Sequence, residues 1–318
     1  MIGIVGAGAF GLALSVALAD AGRQVRLWAR DAAQRAQLRG ERQSPRLPGA
    51  LLPRTVQVVD TPFDLLEGEG PVLLALPMQA LRGFLGGPGA GLLHADLVAC
   101  SKGLDLVTLQ GPAEVIAAAG ASAAVAVLTG PGFAGDIVRG LPTALTLASR
   151  SDRAAALQRL LSTEKLRVYR TDDVAGAQLG GAYKNVIAIA AGVVAGAALG
   201  ESARAALIAR GHAEMVRLGA ALGARAETLA GLSGLGDLVL TCTSLQSRNY
   251  SHGVALASGQ PLPAVTVEGI ATARASVRLA ERLGFDLPIA SMVTRLMDGE
   301  IDVDETVRAL MSRPLKQE

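Results

Sequence analysis

After Met1 the chain begins with Ile2-Gly3-Ile4-Val5-Gly6-Ala7-Gly8-Ala9-Phe10-Gly11, and the fold of its N-terminal part follows from these residues. The apolar run is typical of a buried strand, and the Ala- and Leu-rich residues up to Ala21 predict a helix. In such a strand–turn–helix unit the first glycine permits the tight turn, the second lets the backbone approach a pyrophosphate, and the third lets the helix pack on the strand. We therefore predict a dinucleotide site at Gly6, Gly8 and Gly11, the alternative being a purely structural glycine turn.

The residues after the next strand bear on the choice of cofactor. Gln24 to Trp28 predicts that strand, and NAD enzymes usually place Asp or Glu at its end to bind the ribose 2′-hydroxyl. This chain has Ala29 followed by Arg30. Because a guanidinium pairs bidentately with a 2′-phosphate, Arg30 favours NADP(H). Asp31 next to it keeps NAD(H) open, and the structural alternative for Arg30 is an ordinary solvated arginine.

Strand-type runs then alternate with helical patterns as far as about Thr171. The runs are Thr55–Val59, Pro71–Pro77, Asp96–Cys100, Ala123–Leu128, Thr143–Ala148 and Leu166–Tyr169, with helical patterns at Gln79–Leu85, Gly111–Ala119 and Phe133–Val138. Such alternation predicts a Rossmann-type, doubly wound and mostly parallel sheet with right-handed crossovers. Ligands of these sheets bind at the carboxyl ends of the strands.

Helical periodicity takes over from Asp173 onward. The helical patterns run over Val174–Leu199, Ala203–Leu222, Gly269–Leu283, Ile289–Met297 and Val303–Met311. The fold class is therefore α/β followed by an all-α C-terminal domain, and a length of 318 residues also favours two hydrophobic cores. We place the dinucleotide-binding domain at residues 1–170 and a helical substrate-binding and catalytic domain at residues 171–318.

Three turns lie on the predicted ligand edge of the sheet, at Leu76-Pro77-Met78, Ser101-Lys102-Gly103 and Thr129-Gly130-Pro131-Gly132, and two of them carry candidate residues. Lys102 directly follows a strand, where a cation would neutralise a phosphate of cofactor or substrate. Gly130 and Gly132 expose backbone N–H groups where a phosphate or carbonyl would dock. The structural alternatives are a surface lysine and a plain turn.

Lys184 is the only charged residue between Asp173 and Glu201. The small residues around it recur at helical spacing, which predicts a largely buried helix. A buried ammonium is costly without a partner, and desolvation lowers a lysine pKa towards the range useful for proton transfer. Lys184 is therefore a candidate acid or base, although a lysine that snorkels to a helix end or forms a structural pair is the alternative.

Two further clusters lie in the helical part. Gly231-Leu232-Ser233-Gly234-Leu235-Gly236-Asp237 places glycines before an acid, and Asp237 near Lys184 would orient it. Ser247-Arg248-Asn249 combines a planar guanidinium with hydroxyl and amide donors, which predicts a phosphate clamp. Each has a helix cap or a surface pair as its alternative.

Composition excludes several function classes. With 30 basic and 28 acidic residues, a net charge of +2 and no aromatic–basic interleaving, the chain does not predict nucleic-acid binding. Cys100 and Cys242 stand far apart without His partners, which predicts a reducing compartment and no metal site. The N-terminus lacks a signal-peptide pattern, and the uncharged run 185–200 is too short and Gly-rich for a membrane span. We therefore expect a cytoplasmic protein.

Several motifs in one order resemble the bacterial-type NAD(P)-dependent glycerol-3-phosphate dehydrogenase family over nearly the whole chain. They are Gly6–Gly11, Ser101-Lys102-Gly103, Thr129-Gly130-Pro131 with Phe133-Ala134, Gly140-Leu141-Pro142-Thr143, Gly180–Ala188, Gly234–Leu238, Thr241–Ser244, Gln246–Asn249 and Val267-Glu268-Gly269.

The resemblance implies roles for individual residues. Lys184 corresponds to the catalytic lysine of the family, and Lys102 to a residue that touches both cofactor and substrate. The implied substrate site is lined by Gly130, Gly132, Asp237, Ser247, Arg248 and Asn249, and the implied cofactor contacts are Ala9, Phe10, Arg30, Ala134, Arg248, Thr266 and Glu268. The chain departs from the family pattern at Leu12, Gly132 and Ser202, and the departure at Gly132 removes a hydroxyl donor, so that any contact there comes from backbone.

The resemblance also implies a reaction. It is the reversible reduction of dihydroxyacetone phosphate by NADPH to sn-glycerol 3-phosphate, which supplies glycerophospholipid synthesis. Lys184 would donate the proton, Asp237 would orient it, and Asn185 would help to hold the substrate. The apolar helical domain makes us expect a homodimer.

Two other interpretations remain at this point. One is another two-domain dehydrogenase that acts on a hydroxy acid or on ketopantoate, although the cluster Ser247-Arg248-Asn249 favours a phosphorylated substrate. The other is a non-catalytic NADP(H) sensor, which would leave Lys184 in its apolar helix without a role.

Overall fold

A computed structural model describes residues 1–262 and 265–311 of the chain. It divides into two compact units, the first made of residues 1–102 with 110–178 and the second of residues 103–109 with 179 onward. The change from strand periodicity to helical periodicity at about Thr171 coincides with the end of the last strand. The division between the two units falls later, after Gln178, inside the continuous helix Val174–Gly196. The short segment 103–109 belongs to the second unit, which no sequence pattern predicted.

The first unit is built on one eight-stranded sheet. Its strands are β1 (Ile2–Val5), β2 (Val25–Trp28), β3 (Val56–Val58), β4 (Val72–Leu74), β5 (Leu97–Ala99), β6 (Val125–Thr129), β7 (Thr143–Ala148) and β8 (Leu166–Thr171). Their spatial order is β3-β2-β1-β4-β5-β6-β7-β8. The predicted doubly wound, mostly parallel sheet is confirmed, and β6 pairs with β7 in the antiparallel direction.

Helices cover both faces of this sheet. They are α1 (Ala9–Asp20), α2 (Ala32–Gly40), α3 (Met78–Leu85), α4 (Pro112–Ala118), α5 (Ala134–Val138) and α6 (Ala154–Leu161). Along β1, Ile2 and Ile4 contribute to the core on one face and Val5 to the core on the other. Successive side chains of a strand point to opposite faces, so a strand covered on both sides reads as one apolar run.

Within the described residues of the second unit, every regular secondary-structure element is a helix. Its elements are α7 (Val174–Gly196), whose first turn belongs to the first unit, α8 (Glu201–Ala221), α9 (Ala226–Ala230), a π-helical turn (Leu232–Gly236), α10 (Asp237–Cys242), α11 (Arg248–Ala257), α12 (Glu268–Leu283), α13 (Pro288–Met297) and α14 (Val303–Met311). The predicted all-α C-terminal domain is therefore confirmed.

The apolar helix α7 forms the centre of the second unit. Tyr183, Ile187 and Ala191 are fully buried there. By length and a mean hydropathy of 1.3, α7 would suffice to cross a bilayer, but 89% of the apolar stretch is buried inside the protein. Its apolar surface therefore packs against other helices, as in the core helix of a globular protein.

Candidate active site

The glycine turn after β1 leaves an open cradle. Gly6 has φ +103°, and a Cβ there would overlap the carbonyl oxygen of Ala75, while a Cβ on Gly11 would overlap the carbonyl oxygen of Gly6. No described atom lies within 4 Å of the place where a Cβ on Gly8 would stand. The first and third glycines thus permit close packing, and the second leaves room for a ligand to approach the backbone.

The cradle lies at the N-terminus of α1. Gly8 is the N-cap residue of this helix, and no side chain within residues 1–262 or 265–311 caps it. Backbone N–H groups at a helix N-terminus attract anions. The open cradle and the uncapped helix end fit the pyrophosphate of a nicotinamide dinucleotide, and Ala9 and Phe10 form the first turn beside it.

Lys102 joins this region to the turn after β6. Its Nζ donates a hydrogen bond to the carbonyl oxygen of Gly130 at 3.0 Å and lies 6.0 Å from the centroid of the Phe10 ring. That distance is at the limit of a cation–π interaction. The structure therefore brings together three residues that the sequence analysis named separately.

The residues after Gly130 are tightly packed. Gly130 has φ +123°, a conformation that favours glycine. A Cβ on Gly132 would lie 3.1 Å from Cγ2 of Thr143 and 3.2 Å from Cδ2 of Leu145. A larger residue at position 132 would push on these two side chains. Ala134 begins α5 and packs against the core beside α1.

The end of β2 is cationic. Arg30 is exposed and forms no ion pair or side-chain hydrogen bond with the residues that the structure describes. The carboxylate of Asp31 accepts a hydrogen bond from the backbone N–H of Ala33 at 2.9 Å, so it caps α2. The acid that kept NAD(H) open in the sequence analysis therefore has a structural role.

Lys184 lies in the core of the second unit and is only 6% exposed. Its Nζ donates hydrogen bonds to Oδ1 of Asp237 and, at 2.8 Å, to Oγ1 of Thr241. Asp237 and Thr241 are buried as well. Lys184 therefore does not snorkel to a helix end, and its pair with Asp237 is compatible with both a structural and a catalytic role. Thr241 is a partner that the sequence does not predict, because a hydroxyl inside a helix leaves no distinctive pattern.

A close backbone contact places Asp237 beside Lys184. A Cβ on Gly180 of α7 would overlap the carbonyl oxygen of Ser233 and lie 2.9 Å from the Cα of Gly234. These two residues belong to the π-helical turn that runs directly into Asp237, the first residue of α10. Because Lys184 follows Gly180 by one helical turn, the same face of α7 that touches the π-helical turn also meets Asp237.

Two amide side chains connect α7, α11 and α12. Nδ2 of Asn249 donates to Oδ1 of Asn185 at 2.9 Å, and Oδ1 of Asn249 accepts from the backbone N–H of Gly269 at 2.9 Å. Since Asn185 directly follows Lys184, this network helps to fix the rotation of α7 at the lysine. Both asparagines are buried.

Ser247 and Arg248 form the N-terminus of α11. Oγ of Ser247 accepts a hydrogen bond from the backbone N–H of Tyr250 at 3.2 Å. Ser247 therefore caps α11, which is the structural alternative given for it above. Its O–H proton is not used in that bond. Arg248 is exposed and has no ion pair among the described residues.

The remaining candidates border α12. Thr266 is exposed and precedes the helix, and Glu268 is its first residue. The candidate residues thus fall into two sets. Gly6, Gly8, Ala9, Phe10, Gly11, Arg30, Lys102, Gly130, Gly132 and Ala134 lie in the first unit, and Lys184, Asn185, Asp237, Ser247, Arg248, Asn249, Thr266 and Glu268 lie in the second.

Neither cysteine has the properties of a nucleophile. Burial raises the pKa of Cys100 and that of Cys242 to about 12, although Lys184 lowers the latter in part. Both side chains therefore remain protonated thiols at neutral pH. Within residues 1–262 and 265–311, no three His, Cys, Asp or Glu side chains come together as metal ligands.

Comparison with known proteins finds one family over most of the chain. Residues 1–155 match the family model of the NAD-dependent glycerol-3-phosphate dehydrogenase N-terminus, and residues 173–308 that of its C-terminus. The glycerol-3-phosphate dehydrogenase [NAD(P)+] of Paracoccus denitrificans is 57% identical over 100% of this chain and 99% of its own length. That of Cereibacter sphaeroides is 58% identical over 100% of both.

Solved structures show the same fold. The crystal structure of glycerol-3-phosphate dehydrogenase from Coxiella burnetii superposes with a TM-score of 0.91 at 34% identity, over 98% of each chain. A ketopantoate reductase structure from Ralstonia eutropha has a TM-score of 0.61 at 18% identity, over 96% of this chain and 100% of its own. The second likeness shows a shared fold only.

Proposed function

Since the chain belongs to the NAD-dependent glycerol-3-phosphate dehydrogenase family, we propose that Lys184 of the second unit is the general acid of its reaction. The chain is an NAD(P)-dependent oxidoreductase that acts on a CH–OH group, and it interconverts dihydroxyacetone phosphate and sn-glycerol 3-phosphate. The observation that carries the proposed role is the buried pair of Lys184 and Asp237.

The proposed chemistry requires a proton donor at the substrate oxygen. When bound, the nicotinamide cofactor supplies the hydride to the carbonyl carbon. The ammonium of Lys184 stabilises the negative charge that develops on the oxygen and donates its proton there. The carboxylate of Asp237 stabilises the charged form of Lys184, and Thr241 fixes the direction of Nζ.

The substrate phosphate binds, in this proposal, at the N-terminus of α11. What supports it is an exposed guanidinium on Arg248 that no described residue neutralises, beside the hydroxyl of Ser247 and the amide of Asn249. A phosphate held there converts remote binding energy into correct placement of the carbonyl. Asn185 and the turn with Lys102, Gly130 and Gly132 complete the proposed substrate contacts.

The proposed cofactor is NADP(H) in preference to NAD(H). The support lies at the end of β2, where Arg30 is exposed and unpaired among the described residues and the nearby Asp31 is engaged as a helix cap. Ala9, Phe10, Ala134, Lys102, Arg248, Thr266 and Glu268 are the further proposed cofactor contacts.

We expect dihydroxyacetone phosphate to accelerate NADPH oxidation strongly, and ketopantoate or other unphosphorylated keto acids to have little effect. The reason is that only the phosphorylated substrate uses Arg248 for positioning. The measurement is the decrease in absorbance of the reduced nicotinamide, run in parallel with NADPH and NADH. Equal rates with ketopantoate would contradict the proposed substrate class, and a higher kcat/KM with NADH would contradict the proposed cofactor.

Arg248→Ala should raise KM for dihydroxyacetone phosphate by about 100-fold, because a charge-assisted bidentate contact with phosphate is lost. Arg248→Lys should give a KM between those of wild type and Arg248→Ala, since a lysine keeps the positive charge but cannot make the bidentate contact. Steady-state kinetics at saturating NADPH measures both. The matched control is Arg282→Ala, which removes an exposed arginine from the last turn of α12. An unchanged KM in Arg248→Ala would exclude the proposed clamp.

We further propose that the protein works in the cytoplasm as a homodimer and supplies sn-glycerol 3-phosphate to glycerophospholipid synthesis. Support for the compartment comes from the two free cysteines. Support for the dimer comes from large apolar side chains that the second unit leaves exposed, among them Leu235, Val239 and Leu245.

A further inference from the structure

We propose that Arg35 of α2 is a specificity-determining residue that favours NADP(H) over NAD(H). It would act in two ways, by fixing the turn after β2 and by placing a second guanidinium beside Arg30 at the position of the 2′-phosphate. This inference rests on the proposed use of a nicotinamide dinucleotide in the first unit. No sequence pattern points to Arg35, because α2 has a single buried residue, Leu38.

The position of Arg35 follows from the local structure of α2. The helix begins after Asp31, and Arg35 lies in its first turn. Long side chains of a helix point back towards its N-terminus. Nη1 of Arg35 accordingly donates to the carbonyl oxygen of Ala29 at 2.7 Å and to that of Arg30 at 3.1 Å. These two carbonyls belong to the residues that directly follow β2, where the ribose of a dinucleotide binds in this fold.

Arg35 has donors that the protein does not use. A guanidinium carries five N–H donors, and the two on Nη1 serve the carbonyls of Ala29 and Arg30. Nε is buried without a hydrogen bond, and its distance of 3.8 Å to Oδ1 of Asp60 is too long for one. Nη2 donates no hydrogen bond within residues 1–262 or 265–311. The side chain is only 16% exposed, so the guanidinium is held in place while part of it remains uncommitted.

The charges around Arg35 favour an anion. Asp60 pairs more closely with Arg39, whose Nη2 lies 2.7 Å from Oδ1. Asp31 caps α2, so the carboxylates of Asp31 and Asp60 already have other partners. A 2′-phosphate carries negative charge and a 2′-hydroxyl carries none. The positive charge of Arg35, whose side chain is only 16% exposed, therefore distinguishes the two cofactors.

The test measures binding of two nucleotides that differ only in the 2′-phosphate, 2′,5′-ADP and 5′-AMP, by calorimetry. We expect Arg35→Met to weaken binding of 2′,5′-ADP by about tenfold and that of 5′-AMP by less than about twofold. The affinity of Arg35→Lys for 2′,5′-ADP should lie between those of wild type and Arg35→Met. In turnover, Arg35→Met should raise KM for NADPH and leave kcat unchanged.

The matched control is Arg39→Met, which removes the same charge one helical turn further along α2. Arg39 pairs with Asp60 and donates from Nε to the carbonyl oxygen of Val58 at 3.0 Å. Equal loss of 2′,5′-ADP binding in Arg39→Met would show that any positive charge suffices and would overturn the proposal. Equal weakening of both nucleotides in Arg35→Met would also overturn it, since that result indicates a structural role alone.

Different results would contradict the proposed cofactor choice and the proposed role of Arg35. If wild type binds 5′-AMP as tightly as 2′,5′-ADP and uses NADH better, the cofactor choice under the proposed function is wrong. The role of Arg35 is judged by a separate quantity, the change in the ratio of the two dissociation constants between wild type and Arg35→Met. A ratio that does not change overturns the inference whichever cofactor wild type prefers. Thermal unfolding of each variant verifies that the first unit remains folded.

Discussion

Lys184→Ala should lower kcat by about 10³- to 10⁴-fold, because the variant loses both the proton donor and the positive charge that stabilises the developing alkoxide. Two described neighbours of the lysine cannot replace it. Thr241 offers only a neutral hydroxyl, and burial holds the pKa of the Cys242 thiol at about 12. Single-turnover oxidation of bound NADPH with dihydroxyacetone phosphate measures the chemical step directly.

Stability must be separated from chemistry in this variant. Removing Lys184 leaves the carboxylate of Asp237 buried without its ion-pair partner, and breaking a buried pair typically costs about 3–5 kcal/mol. The double variant Lys184→Met with Asp237→Asn removes both charges and should recover stability but not turnover. NADPH binding, followed by its fluorescence, should stay close to that of wild type in both, because the cradle at Gly8 lies in the first unit.

A matched control for the lysine is Lys165→Ala. Lys165 is exposed and lies in the first unit. Its loss should leave kcat and KM unchanged. A Lys184→Ala enzyme that turns over at a near-normal rate while Lys165→Ala does the same would exclude the assignment of Lys184 as general acid.

The sequence predicts that Lys184 is buried and paired, because a single charge in a long apolar helix is a distinctive pattern. One ammonium inside an apolar helix must be paired, and the acid that follows the glycine-rich turn of the helical part is Asp237. The glycine turn at Gly6–Gly11 is predictable for a similar reason, since Gly6 and Gly11 are required by close backbone contacts and Gly8 leaves room for a ligand. The sequence pattern is local in both cases, but the contacts that it predicts join residues far apart in the chain, such as Lys184 and Asp237.

Other features depend on contacts that no local pattern encodes. The antiparallel direction of β7 is one, because strand periodicity is the same in either direction. The segment 103–109 is another. It belongs to the second unit because Leu104 and Leu109 pack against Ala275 of α12 and the carbonyl oxygen of Leu106 accepts from Arg278. These partners are remote in sequence, so the assignment required coordinates.

The second large effect is expected for a substitution at Gly180, whose backbone contact with the π-helical turn positions Asp237. Gly180→Ala should destabilise the second unit by about 1–3 kcal/mol, because the added methyl group meets backbone atoms of Ser233 and Gly234 that cannot rotate away. The π-helical turn would have to move, and Asp237 with it. Since a misplacement of about 1 Å can lower a rate by about 100-fold, kcat should fall even where the protein is fully folded.

Chemical denaturation and steady-state kinetics on the same preparation measure the two effects, and Gly83→Ala is the matched control. Gly83 lies inside α3, is exposed, and has no described atom within 4 Å of the place where the added methyl group would stand. There the same substitution should stabilise the protein by about 0.5–1 kcal/mol, because alanine favours a helix over glycine. If Gly180→Ala behaved like Gly83→Ala, with normal kcat and increased stability, helix propensity would outweigh the backbone contact. The orientation of Asp237 towards Lys184 would then have to come from the hydrogen bonds of α10 and Thr241 alone.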